Sequence, residues 1–191
     1  VNQRSKLLEV NTQYDVFNRN GEEIANILQT GQSRFKRFLR IFANFDQYFT
    51  HTFDVTDPNG QLLLRLRRPS KVFRTTVHVY DSLNQQLGSI QQQNVFGKIN
   101  FVITDTSRAE LAWLRAENWR AWDFRIEGSG TTELARVTKT WEGFVRTIFS
   151  NADTYVVRIH NPLPEPLRSM VVATAIAVDL ALKQDARGFG A

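Results

Sequence analysis

The amino-acid sequence predicts a mainly β protein: a closed antiparallel barrel of about twelve strands around a central apolar C-terminal α-helix. Three observations predict it. First, a strand–turn–strand pattern recurs along most of the chain, with Val55, Val79, Ile103 and Ile126 in equivalent places, spaced 24, 24 and 23 residues apart. A unit of that size cannot bury its apolar face alone and must pack against its neighbours. Second, apolar residues alternate with polar ones inside each strand, as a sheet with one buried face requires. Third, residues 170–182 are apolar except for Thr174 and Asp179. Their apolar side chains form no single stripe, so the helix they build must be surrounded.

The elements follow in order. The first hairpin is the weakest copy: Tyr14-Asp-Val-Phe17 leads into Asn20-Gly21, and Ile24-Ala-Asn-Ile27 leads out. The second runs Phe53-Asp-Val-Thr-Asp57, turns at Pro58-Asn-Gly60, and returns as Gln61-Leu-Leu-Leu-Arg-Leu66. Pro58 presets one backbone angle of that turn and Gly60 permits a positive φ. The third joins Val77-His-Val-Tyr-Asp81 to Leu87-Gly-Ser-Ile90, and the fourth joins Phe101-Val-Ile-Thr-Asp105 to Ala109-Glu-Leu-Ala-Trp113. The fifth joins Phe124-Arg-Ile-Glu-Gly128 to Glu133-Leu-Ala-Arg-Val137, and Tyr155-Val-Val-Arg-Ile159 is a last single strand. Asp57, Asp81 and Asp105 hold the same place in their hairpins. That repetition marks them as turn residues accepting local backbone hydrogen bonds, not as paired acid–base catalysts. Leu62, Leu64 and Leu66 share one strand face, as do Phe101 and Ile103, and Trp122, Phe124 and Ile126. The opposite faces carry Arg65, Arg67, Arg74, Arg125 and Arg136, so the basic residues are expected outside the sheet.

Asn161-Pro-Leu-Pro-Glu-Pro166 reads as an extended, proline-stiffened connector. Residues 167–184 then read as the helix, which stops near Gly188. Ala173, Ala175, Ala177 and Ala181 are small enough for strands to approach closely. Asp179 sits inside this apolar run, and Lys183, four residues on, is its expected partner. Residues 34–42 place Phe35, Phe38 and Phe42 at helical spacing with Arg34, Arg37 and Arg40 between them. A short amphipathic helix plugging one end of the barrel is expected there. The domain plan is a leader at 1–12, one barrel domain at 13–185 with its helix at about 167–184, and a tail at 186–191.

Composition narrows the chemistry. The chain has 191 residues, no cysteine and a formal charge of +5. Without cysteine there is no disulfide framework, zinc ribbon, iron–sulfur site, cysteine nucleophile or CxxC redox pair. Of the 24 cationic residues 18 are Arg, the better planar partner for phosphate. The longest apolar run, thirteen residues, is short of the roughly twenty a membrane helix needs.

The chain resembles the phospholipid scramblase and tubby C-terminal-like superfamily, which includes the plant LURP-one-related proteins. The Asp-turn hairpins, among them Asp57-Pro-Asn-Gly60 of the form Asp-x-x-Gly, carry the likeness, together with Phe149-Ser-Asn-Ala-Asp-Thr-Tyr155 and the helix from Met170 through Ala177-Val-Asp-Leu180. The order and spacing of the whole set, from about Tyr14 to Gln184, persuade more than any single motif. The resemblance implies a twelve-stranded barrel around an apolar C-terminal helix. Scramblases carry a calcium segment of the form Asp-x-Asp-x-aromatic with a further acid several positions on. Here Asn151 takes the first acidic place, Asp153 the second and Tyr155 the aromatic place, while the later acidic position falls near Pro162. Calcium takes six to eight oxygen ligands, and one carboxylate with one amide makes a poor site. Asn151 and Asp153 are therefore read as a remnant of a metal site that caps a turn, and no cofactor is expected. The cysteine cluster that carries palmitoyl groups in such proteins has no counterpart, so membrane attachment would rest on charge and exposed aromatics.

Catalytic signatures are absent. His51, His78 and His160 fall in predicted strands with no HExxH or HxH spacing, and there is no GxSxG, GxxxxGK[ST] or GxGxxG. An enzyme is not expected. Two basic groups are the candidate anion binders: Arg34, Lys36, Arg37 and Arg40, and separately Arg65, Arg67, Arg68 and Lys71. Tubby-like domains bind phosphoinositide head groups through basic strand residues, and the second group resembles such a site in kind. The expected protein is a non-enzymatic, scramblase-related module. It would be cytoplasmic, peripheral at the inner face of a membrane, with anionic phospholipid as its partner. The alternative is a scaffold or nucleic-acid-associated module without lipid activity. The sequence shows no basic groove interleaved with aromatics to favour nucleic acid.

Overall fold

A computed structural model of the chain describes residues 13–30, 50–70, 74–94, 97–117, 123–140 and 154–188. Among them are eleven strands and one helix: β1 (Gln13–Phe17), β2 (Glu23–Thr30), β3 (His51–Thr56), β4 (Leu62–Arg68), β5 (Thr76–Asp81), β6 (Gln86–Gln92), β7 (Asn100–Asp105), β8 (Glu110–Ala116), β9 (Asp123–Glu127), β10 (Glu133–Thr140), β11 (Thr154–Ile159) and α1 (Leu167–Gly188). The strands stand in one antiparallel sheet in chain order. That order is linear from β1 to β11, where the sequence led us to expect a closed ring of twelve. The short helix expected at residues 34–42 lies outside the described residues, as do Trp122, Asn151 and Asp153.

The hairpin repeat is real down to single hydrogen bonds. Asp57 Oδ1 accepts the backbone N–H groups of Asn59 and Gln61 at 2.9 and 2.8 Å. Asp81 Oδ1 accepts those of Leu83 and Gln85 at 2.9 and 2.7 Å. Asp105 Oδ1 accepts those of Ser107 and Ala109 at 2.8 and 2.9 Å. In the weak first copy Asn18 does the same for Asn20 and Glu22, at 2.9 and 3.1 Å. In the fifth copy Gly128 stands in this place, and its N–H bonds to the carbonyl of Thr132 at 3.0 Å without a side-chain clasp. Three residues on from each of these positions the backbone has positive φ: Gly21, Gly60, Asn84, Arg108 and Thr131. Glycine fits that conformation without strain, but a β-branched threonine does not.

The chain forms two compact units. One comprises β1–β4 together with Tyr80–Gln85. Its inward face carries Ala25, Ile27, Phe53, Val55 and Leu66, all buried. Alternation fixes this: β3 is buried at every second residue, His51, Phe53 and Val55. The same alternation places Leu62 and Leu64 half-buried on the face of Leu66.

The other unit comprises Phe73–Val79 and everything from Gln86 on. Its core is built from Val77, Val79, Ile90, Phe101, Ile103, Leu114, Phe124, Ile126 and Val137, with α1 packed against β6, β8, β10 and β11. On α1, Met170, Val171, Ala173, Thr174, Ile176, Ala177, Val178 and Asp179 are buried, which at 3.6 residues per turn is more than one stripe, while Val172 is 39% exposed. Strand and helix pack tightly at Gly88 on β6. A β-carbon there would collide with the backbone oxygen of Thr104 and stand 3.2 Å from Met170 Cε. The packing of α1 against β6 thus depends on a residue without a side chain.

Candidate functional site

The candidate basic residues of β4 separate according to the pleat. Arg65 and Arg67 point away from the core, while Arg68, in step with Leu66, is 1 % exposed. The alternation that buries Leu64 and Leu66 also dictates the placement of Arg68, so this outcome was already written in the sequence. Arg68 lies in register with His51, which is buried, bonded to the Gln29 amide and stacked near Phe53. The buried ends of β2, β3 and β4 therefore hold a polar group, Gln29, His51 and Arg68, that hydrophobicity alone does not announce.

Arg65 faces outward but is already engaged. Its Nε and Nη2 donate to the two carboxylate oxygens of Asp54 at 2.6 and 2.9 Å, a two-point pairing between neighbouring strands. Hydrogen bonding to Asp54, and then its charge, hold the guanidinium above its ordinary pKa. Arg67 is exposed, and among the described residues no carboxylate is paired with it. Arg34, Arg37, Arg40 and Lys71 lie outside the described residues, so Arg67 is the outward, uncompensated cation of the candidate set that the structure describes.

A second basic feature went unnoticed in the sequence. Register aligns Arg115 with Arg125, Arg125 with Arg136, and Arg136 with Arg158, making a row of arginines across β8, β9, β10 and β11. Like charges on facing positions repel. Carboxylates placed between them offset that. Arg115 Nε donates to Glu127 at 3.0 Å, and its guanidinium stands 4.7 Å from the Trp113 ring. Arg125 pairs with Glu117 and with Glu127, the latter at 3.3 Å. Arg136 donates to both oxygens of Glu133 at 2.9 Å, and to Asp123 at 3.0 Å. His160 Nε2 stands 2.9 Å from the same Glu133. It lies one residue past β11, so of the three histidines only His51 and His78 are in strands. The Arg136 hydrogen bonds, then His160, bring the Glu133 carboxyl down to about 2, and the same contact raises Arg136. Arg115, Arg125 and Arg136 on this face are thus engaged by carboxylates, whereas Arg158 is exposed.

The buried carboxylate of α1 has a partner that sequence spacing did not indicate. Asp179 is bonded by the hydroxyl of Tyr155, and the side chain of Lys183 lies outside the described part. Tyr155 occupies the aromatic place of the calcium-like segment. Among the described residues no three His, Asp or Glu side chains are grouped to hold a metal ion. No helix among them is long and apolar enough to cross a membrane.

The comparisons with known proteins bear on this arrangement of hairpins and helix. The model of the family described as Scramblase matches residues 5–182. A phospholipid scramblase family protein of Schizosaccharomyces pombe is 24% identical over 157 residues, spanning 76% of this chain and 40% of that protein. The chain thus covers well under half the length of that relative. No solved structure matches it. The family match extends from before β1 into α1 and takes in every strand described above, so the chain belongs to the Scramblase family.

Proposed function

We propose that this chain is a non-enzymatic, scramblase-related module that binds anionic phospholipid at a membrane surface. Family membership supports the lipid connection. The observation that carries the reading to particular residues is the contrast on β4: Arg65 is neutralised by Asp54, while Arg67 is exposed with no paired carboxylate among the described residues. Arg67 would act with Lys71 and with Arg34, Arg37 and Arg40, whose sequence interleaves cations with phenylalanines. Each cation near an anionic surface contributes about 1 kcal/mol, so several are needed for stable attachment. We further propose a cytoplasmic, peripheral location, no calcium requirement, and a barrel that closes around α1. The burial of most of the apolar side chains of α1 supports the last of these.

Co-sedimentation with phosphatidylserine vesicles at low salt tests the reading, with phosphatidylcholine vesicles as control. Binding to the anionic vesicles is expected, falling about fivefold on Arg67→Gln and further when Arg37 and Arg40 are also changed. No binding at low salt, or tighter salt-dependent binding to duplex DNA than to vesicles, would overturn it.

A further inference from the structure

One hairpin breaks the repeat at its tip. Two places after the residue that clasps the turn stand Asn20, Asn59 and Ser107 in three copies, and Leu83 in the fourth. All four supply the same thing to the turn, a backbone N–H to the side-chain oxygen of Asn18, Asp57, Asp105 or Asp81, at 2.9, 2.9, 2.8 and 2.9 Å. The turn asks only for that N–H, so the isobutyl group of Leu83 contributes nothing to it. It is 75% exposed, more than any other large hydrophobic side chain described.

Leu83 has company. Tyr80–Gln85 belong to the same compact unit as β1–β4. In that unit Phe17, Ile24 and Leu63 flank the other two turns and are 40%, 47% and 42% exposed. Antiparallel pairing of β2 with β3 puts the turn before β2 and the turn after β3 at one end. The same three turns carry Glu22, Glu23, Asp57 and Asp81 against the single guanidinium of Arg19, on a chain whose formal charge is +5. Exposed aliphatic and aromatic side chains set among carboxylates suit a partner that is apolar on one side and cationic on the other. They do not suit an anionic bilayer, which the carboxylates would repel. We infer that the hairpin end of the β1–β4 unit is a docking surface for a basic amphipathic segment of a partner protein, with Leu83 against its apolar side and the carboxylates against its Lys and Arg side chains. The inference uses none of the lipid-binding residues proposed above and does not depend on them.

The probe is a fluorescent Lys/Leu amphipathic peptide of about 18 residues, with a Glu/Leu peptide of the same pattern as control, read by anisotropy against the whole chain. The Lys/Leu peptide is expected to bind, and to weaken steeply as salt rises. Leu83→Ser is expected to lower its affinity about fivefold, the loss of roughly 1 kcal/mol of apolar contact. Ser107 already occupies this place in a sister hairpin, so the substitution is compatible with the turn, and an unchanged melting midpoint verifies the fold. Ile24→Thr, on a strand face, is the second variant and should weaken binding likewise. Equal binding of both peptides, or undiminished affinity in both variants, overturns the inference. So does an oligomer in sedimentation that Leu83→Ser dissolves, which would give the surface to a second copy. Loss of phosphatidylserine vesicle binding in Leu83→Ser would give it to the bilayer and equally overturn the inference.

Discussion

The hydroxyl of Tyr155 on β11 donates a hydrogen bond to the carboxyl group of Asp179 on α1 across 3.1 Å. Asp179 is 1% exposed, so its polar atoms left water when the helix was buried and need partners inside the fold. The bond joins the last strand to the helix that fills its unit. Tyr155→Phe deletes only the hydroxyl. Urea unfolding should show a loss of about 1–2 kcal/mol, with the midpoint lowered and the slope unchanged. A variant as stable as the parent would show that the bond carries no weight.

Gly88 should be close to irreplaceable. Alanine there drives a β-carbon into the carbonyl oxygen of Thr104, which as backbone cannot swing aside, and against Met170 of α1. Gly88→Ala is expected to cost about 2–3 kcal/mol, as overpacking at a strand–helix contact does. Gly60→Ala meets no neighbouring atom, so its cost comes from positive φ alone and should be nearer 1 kcal/mol. Thermal melts of the two variants side by side separate collision from backbone strain.

The hairpin tips offer gains in stability. Thr131 and Arg108 hold positive φ of 62° and 70°, where two sister hairpins have glycine. Thr131→Gly should raise stability by about 1 kcal/mol and Arg108→Gly by somewhat less. Asn84→Gly should be nearly neutral, because asparagine tolerates this conformation. A melting midpoint lowered by Thr131→Gly would contradict the strain assigned to that turn.

Acid should weaken the ion-pair face through Glu133. Its carboxyl sits at about 2, below the ordinary 4.5, held there chiefly by Arg136 and then His160. A depressed carboxyl contributes stability that is present above its unfolded pKa and is lost as pH falls through the folded value. The loss therefore spans roughly pH 5 to 2. Glu133→Gln should be less stable at pH 7 by about 1 kcal/mol, a modest figure because the pair is partly exposed to water. Its stability should also fall less over that acid range. Parallel acid unfolding curves for parent and variant would refute the assignment.

How much of this was legible in the sequence differs by element. The clasping role of Asp57, Asp81 and Asp105 followed from repetition alone, because the bonds join residues two and four apart and need no knowledge of the rest of the fold. Arg68 was grouped with the outward cations by proximity in sequence, although the period-two rule already placed it with Leu66. The arginine row was beyond reach. It depends on how far each strand slides past its neighbour, and a register shift at the β9–β10 pairing moves the count.

By itself the sequence determined the hairpins, the inward face of several strands, the helix at the C-terminal end and the family. These rest on local turn chemistry and on periodicity, which operate over a few residues. Only the tertiary structure decided the fate of the charges. It showed that Arg65, Arg115, Arg125 and Arg136 are matched by carboxylates. It gave Asp179 the hydroxyl of Tyr155, 24 residues away in the chain, which sequence spacing did not indicate. The physical reason is common to both. A charge or a buried polar group is satisfied by whatever stands within about 3 Å of it. Chain pairing in three dimensions sets that neighbour, and spacing along the sequence does not.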